Sequence, residues 1–139
     1  MRTLHENKLL IVDDDPLQLA NAIKCFGQHF HITTALSGAE ALELMETEHF
    51  NMVLLDINLG AQQMDGCTVM RNIRQSSKNK YIKLVAVSVY AGARDWYISQ
   101  GFDELIIKPL LATNIIDVLE KLQNGDGHWW ALNHEEFLA

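Results

Sequence analysis

Short unbroken apolar runs alternate along this chain with stretches whose apolar residues recur every three or four positions. Lys8-Leu-Leu-Ile-Val-Asp13 is the first run and ends in acids; a run of this kind predicts a buried strand. Pro16 then opens a helical pattern with Leu17, Ala20, Ile23 and Phe26 on its apolar positions, and Gly27 stops it. Asp15 in front of Pro16 is a good helix start, because its carboxylate can cap free N–H groups and proline suits the first turn. His31 to Ala35 is β-branched and predicts a second strand. Ser37-Gly-Ala-Glu40 has the capping-box form, with Ala41, Leu42, Leu44 and Met45 following as a helix. Asn51 to Asp56 predicts the third strand, Cys67, Met70, Ile73 and Arg74 a helix to about Ser77, and Lys83 to Ser88 the fourth strand. A weaker helix over 91–100 ends at Gly101, followed by a strand from Asp103 to Ile107 and a helix from Leu110 to Leu122.

Five strand–helix repeats whose strands do not alternate predict a parallel sheet covered on both faces. Right-handed crossovers leave few topologies, and the doubly wound, flavodoxin-like strand order 2-1-3-4-5 is the one expected for this α/β chain. The domain is expected over 1–123. Residues 124–139 form a tail or linker that opens with the turn-like Asn-Gly-Asp-Gly and carries Trp129 and Trp130. Two adjacent Trp residues are costly to leave in water. The tail is expected to fold back, to mediate self-association as a homodimer, or to lead into a further segment.

A length of 139 residues suits one compact domain, and 48% hydrophobic with 21% charged residues is ordinary for a water-soluble protein. No stretch approaches the ~20 apolar residues of a membrane helix, and the polar Met1–Lys8 segment lacks a signal-peptide pattern, so a cytoplasmic protein is expected. A formal net charge of −7 argues against direct nucleic-acid binding. Cys25 and Cys67 fall in apolar helical patterns and are expected to be buried, reduced thiols. His29 and His31 lack a third nearby metal ligand.

The polar residues at the strand ends carry the chemistry. The first strand ends in Asp13-Asp14-Asp15, the third in Asp56, the fourth in Ser88 and the fifth in Lys108-Pro109. Ligands of open parallel sheets bind beyond these ends, and the expected order makes the first and third strands neighbours. Carboxylates ~4 Å apart repel by roughly 4 kcal/mol per pair at an effective dielectric near 20. A proton, a metal or Lys108 must neutralise them. Oxygen-only ligands with open positions suit Mg²⁺, and carboxylates serve as phosphoryl acceptors. Asp15 is better explained as a helix cap, but capping does not account for Asp13, Asp14 and Asp56 together with Ser88 and Lys108.

These residues resemble the receiver domain of two-component response regulators over about 7–123. The likeness rests on Leu-Leu-Ile-Val-Asp-Asp-Asp-Pro (9–16), Val-Leu-Leu-Asp56-Ile-Asn, Asp65-Gly66, Val-Ala-Val-Ser88 and Ile-Ile-Lys108-Pro109. It implies that Asp56 is phosphorylated by a phosphohistidine of a sensor histidine kinase or histidine phosphotransfer protein. It also implies that Asp14, Asp56 and the Asn58 carbonyl ligate Mg²⁺, with Asp13 acting mainly through water. Lys108 would contact the phosphoryl oxygens, Ser88 would report the phosphoryl group to a surface of the fourth helix, fifth strand and fifth helix, and the Lys108–Pro109 bond would be cis.

Three departures matter. Gly60 stands where the family usually has proline, in a loop about two residues longer. Val89 stands where it has a small residue, and crowding there predicts slow loss of phosphate; Val89→Ala should shorten the phosphate lifetime, and an unchanged or longer lifetime would refute the crowding. Leu105 stands where it often has Tyr or Phe, leaving Tyr90 either as a half-exposed loop aromatic that shields the site or as a partial substitute in the switching role. Two alternatives remain at this point: a degenerate receiver binding proteins without phosphorylation, and a haloacid-dehalogenase-like phosphatase with Asp13 as nucleophile and Asp15 as acid/base.

Overall fold

The computed structural model describes residues 8–28, 30–60, 64–79 and 82–121. Five parallel strands, β1 (Lys8–Val12), β2 (His31–Ala35), β3 (Met52–Asp56), β4 (Lys83–Ser88) and β5 (Glu104–Ile107), lie in the order β2-β1-β3-β4-β5. The helices are α1 (Pro16–Phe26), α2 (Gly38–Thr47), α3 (Gly66–Gln75), α4 (Arg94–Gln100) and α5 (Ala112–Lys121). The topology is the one expected. Pairing is in register across the sheet, with Val12 beside Leu55 and Ser88 beside Ile107, so the C-terminal ends of β1, β3, β4 and β5 finish close together.

Alternate strand positions feed two cores, as a period of two demands. Leu10, Val12, Val53, Leu55, Leu84 and Ala86 pack with α2 and α3 residues and Phe102 on one face. Leu9, Ile11, Met52, Leu54, Val85, Val87 and Ile106 pack with Phe26 of α1 and Ile115 of α5 on the other. Both faces are dry, which is why the strands read as unbroken apolar runs.

The helix starts follow their caps. Asp15 accepts from the Leu17 N–H at 2.9 Å, Ser37 from Glu40 at 3.1 Å and Asp65 from Thr68 at 2.8 Å. The expected inner face of α1 holds at Phe26 and is corrected at Leu17, Ala20 and Ile23. Leu19, Ala22 and Phe26 are its buried residues, while Leu17 and Ile23 stand 68% and 48% exposed. Leu17 is two residues, about 200° of helix, from Leu19, and so faces away from the sheet. The same rotation corrects Cys25, which is exposed; Cys67 is half-buried, and both thiols are free. The weak fourth helix is a 3₁₀ turn over Ala91–Ala93 followed by α4, which buries no residue fully. The 123/124 boundary, the Trp129–Trp130 tail and His29 lie outside the described residues.

Candidate functional site: a carboxylate pocket at the strand ends

Continuing the alternation past the strands puts Asp13 after Ile11, Asp56 after Leu54 and Lys108 after Ile106, all on the α1/α5 side of the sheet. Ser88, two residues past Ala86, takes the other side. These side chains line one open cavity of about 540 Å³, together with Asp14, Asp15, Gln18, Ile57, Asn58, Gly60, Val89 and Tyr97.

The ammonium of Lys108 lies 2.7 Å from Asp56 Oδ2 and 3.3 Å from Asp13 Oδ2. Asp13 Oδ1 accepts from the Asp15 N–H and Asp56 Oδ1 from the Asn58 N–H, each at 2.9 Å. Asp13 and Asp56 are buried, and Asp14 is exposed. One ligand oxygen from each of Asp13, Asp14 and Asp56 falls within 4.8 Å of the others. Three carboxylates against one ammonium leave two negative charges. An all-oxygen donor set with that charge fits a hard divalent cation.

Burial raises the Asp56 proton affinity above the ordinary range; the Lys108 hydrogen bond, the Asn58 amide and the Lys108 charge oppose it, and Asp13 adds to it. Burial pulls the Lys108 ammonium down, but its hydrogen bond to Asp56 and the charges of Asp56 and Asp13 more than reverse this, so it is held above its ordinary value. The two directions are compatible. One lysine shared between two acids does not repay the desolvation of Asp56, and the unmet remainder favours a second cation.

Ser88 is nearly buried, and its Oγ accepts from the Tyr90 N–H at 3.0 Å, leaving its own proton to donate. Gly60 has φ +99°, a backbone closed to proline, so the loop after β3 takes a different path from one with proline there. The Lys108–Pro109 bond is cis. Val89 lies on the cavity wall yet is 80% exposed, a rim residue rather than a plug. Tyr90 is 66% exposed and absent from the cavity wall, its ring folded over Gly92 so closely that an added Cβ would clash with its hydroxyl. The aromatic in the wall is Tyr97, which sequence reasoning missed along with Gln18. Gln18 lies one helical turn past the Asp15 cap and was open to inference; the position of Tyr97 depends on how α4 crosses the sheet.

The family model for the response regulator receiver domain matches residues 9–120. The chain belongs to this family. Receiver domains are phosphoacceptor signalling modules rather than enzymes in their own right, so the phosphatase alternative falls. The chain is similar to the transcriptional regulatory protein AfsQ1 of Streptomyces coelicolor, 30% identical over 106 residues, covering 73% of this chain and 44% of that protein. It is also similar to a 14.6 kDa protein of Leptolyngbya boryana, 26% identical, covering 87% of this chain and 93% of that one. Against several curated relatives it spans about half their length, as with the probable transcriptional regulator ycf27 of Cyanophora paradoxa at 52%. Among solved structures, the response regulator TrrA of Thermotoga maritima in complex with Mg²⁺ and BeF superposes with a TM-score of 0.69 at 26% identity, covering 84% of this chain and 99% of TrrA. The chemotaxis protein CheY4 of Vibrio cholerae reaches 0.73 at 19% identity, covering 84% and 98%, a likeness of fold. A two-component setting implies a histidine kinase as partner, and the chain resembles part of the sensor histidine kinase RcsC of Escherichia coli at 29% identity, covering 73% of this chain and 11% of that protein. No helix among the described residues is long and apolar enough to cross a membrane.

Proposed function

We propose that Asp56 is the phosphoacceptor, loaded from a phosphohistidine of a cytoplasmic histidine kinase or phosphotransfer protein. The observation that carries this reading is the Lys108 ammonium held between Asp56 and Asp13, with the Asp14 carboxylate beside them. A carboxylate oxygen of Asp56 attacks phosphorus, the P–N bond breaks, and its electron pair leaves on the imidazole. Lys108 then follows the new negative charge onto the phosphoryl oxygens, and the Ser88 hydroxyl donates to them from the other side of the sheet. Loss of the signal is hydrolysis: water attacks phosphorus, the P–O bond to Asp56 breaks, and inorganic phosphate leaves.

Asp13, Asp14, Asp56 and the carbonyl of Asn58 would hold Mg²⁺, whose chemistry is to neutralise the phosphoryl oxygens and fix an in-line approach. Reorientation around Ser88 would shift the populations of a surface made by α4, β5 and α5. Incubation with acetyl phosphate tests the reading by mass spectrometry. One added phosphoryl group is expected, dependent on Mg²⁺ and absent in Asp56→Asn. An unlabelled wild type would favour a protein-binding module that works without phosphorylation, and a labelled variant would put the phosphoryl group on a residue other than Asp56.

A further inference from the structure

We infer that the Tyr97 hydroxyl is a phosphoryl-contacting group, completing the pocket on the Ser88 side and tying the state of Asp56 to the position of α4. The inference rests on Asp56 carrying the phosphoryl group, as proposed above. Tyr97 is the one α4 residue lining the cavity, which Ser88 and Val89 also line. Its ring packs with the core on the α2/α3 face, the side toward which Ser88 points and to which Leu105 contributes an apolar side chain with no polar atom. The ring is fixed by edge contacts, 6.0 Å to Phe102 and 4.9 Å to Trp96.

The phenol itself is poorly provided for. Burial raises its proton affinity, the nearby Cys67 and Asp65 add to this, and no described residue hydrogen-bonds it. A phenol that stays protonated is a donor, and a half-buried donor beside an anion-binding pocket gains most from an anionic acceptor. α4 has no fully buried residue, and its first residue, Arg94, is paired to the buried Glu104 of β5 at 2.6 and 2.9 Å. A new bond from Tyr97 to a phosphoryl oxygen therefore pulls on an element that no fully buried side chain holds. Trp96, the next residue and in ring contact with Tyr97, is a built-in reporter.

The test uses the full chain with Trp129→Phe and Trp130→Phe, leaving Trp96 as the sole tryptophan. Beryllofluoride with Mg²⁺ is the probe, a tetrahedral stand-in for the phosphoryl group, and Tyr97→Phe removes only the hydroxyl while keeping the ring contacts. The Tyr97 form is expected to change Trp96 emission on binding the probe. Tyr97→Phe is expected to bind about tenfold more weakly, to lose most of that change and to be labelled more slowly by acetyl phosphate. Equal affinity and an equal emission change in Tyr97→Phe would overturn the inference while leaving Asp56 as acceptor. A chain that takes no phosphoryl group at all would overturn both.

Discussion

Burial and the neighbouring Asp13 raise the proton affinity of Asp56, while Lys108 and the Asn58 amide lower it, and the balance lies upward. A carboxylate whose folded pKa is raised binds its proton more tightly in the folded state. Its stabilising contribution is complete below the ordinary value of 3.8 and is lost as pH rises through the raised one. At neutral pH the ionised Asp56 therefore works against the metal-free fold. Asn in its place removes the charge and keeps one acceptor oxygen, for either Lys108 or the Asn58 N–H. Asp56→Asn in a chelating buffer at pH 7 is expected to raise the melting temperature by about 2–6 °C, the scale of ~1 kcal/mol in a domain of this size. That gain should vanish below pH 3.8. Melting curves that coincide at pH 7 would contradict the assignment of Asp56 as an under-compensated acid.

At the scale of elements, the tightest joint near the site is where α3 meets the end of β3. A Cβ on Gly66 would lie 2.6 Å from Ile57 Cα and 3.0 Å from the Asp56 carbonyl oxygen, both backbone atoms that cannot turn aside. Gly66→Ala must push α3 away and weaken the Gly66 N–H to Ile57 carbonyl bond of 3.3 Å. A loss of about 1–3 kcal/mol in urea unfolding is expected, with slower labelling of Asp56 by acetyl phosphate because its backbone is displaced. Unchanged stability would mean that the joint is slack. The Asp65-Gly66 pair was legible in the sequence, as were the strands and their terminal acids, because a strand buried on both faces leaves an unbroken apolar run and a strand end fixes where the next side chain points. Helix faces were less legible. Leu17, Ala20 and Ile23 repeat at helical spacing as convincingly as Leu19, Ala22 and Phe26, and only the seating of α1 on the sheet selects between them. Tyr97 was hidden for the same reason, since α4 buries no residue fully and its rotation is a tertiary property.

Over the whole molecule, the sheet gathers charges that local structure would never place together: acids from β1 and β3, separated by more than forty residues, and a lysine from beyond β5. The excess of two negative charges at this convergence is a binding free energy waiting for a cation, and a cation that binds only the folded arrangement must stabilise it. The gain follows RT ln(1 + [L]/Kd), about 2.7 kcal/mol when Mg²⁺ is at ~100 times its dissociation constant. Because the cation binds ionised carboxylates, it competes with the proton that Asp56 holds above its ordinary range. The rise in melting temperature with Mg²⁺ should therefore be small below pH 3.8 and grow as pH climbs through the raised Asp56 value. Asp56→Asn should start more stable without metal, and Asp13→Asn and Asp56→Asn should each gain less from it. A scan of melting temperature against Mg²⁺ at several pH values measures this, and an equal gain at every pH, or in both variants, would mean that the cation binds somewhere other than the three converging acids.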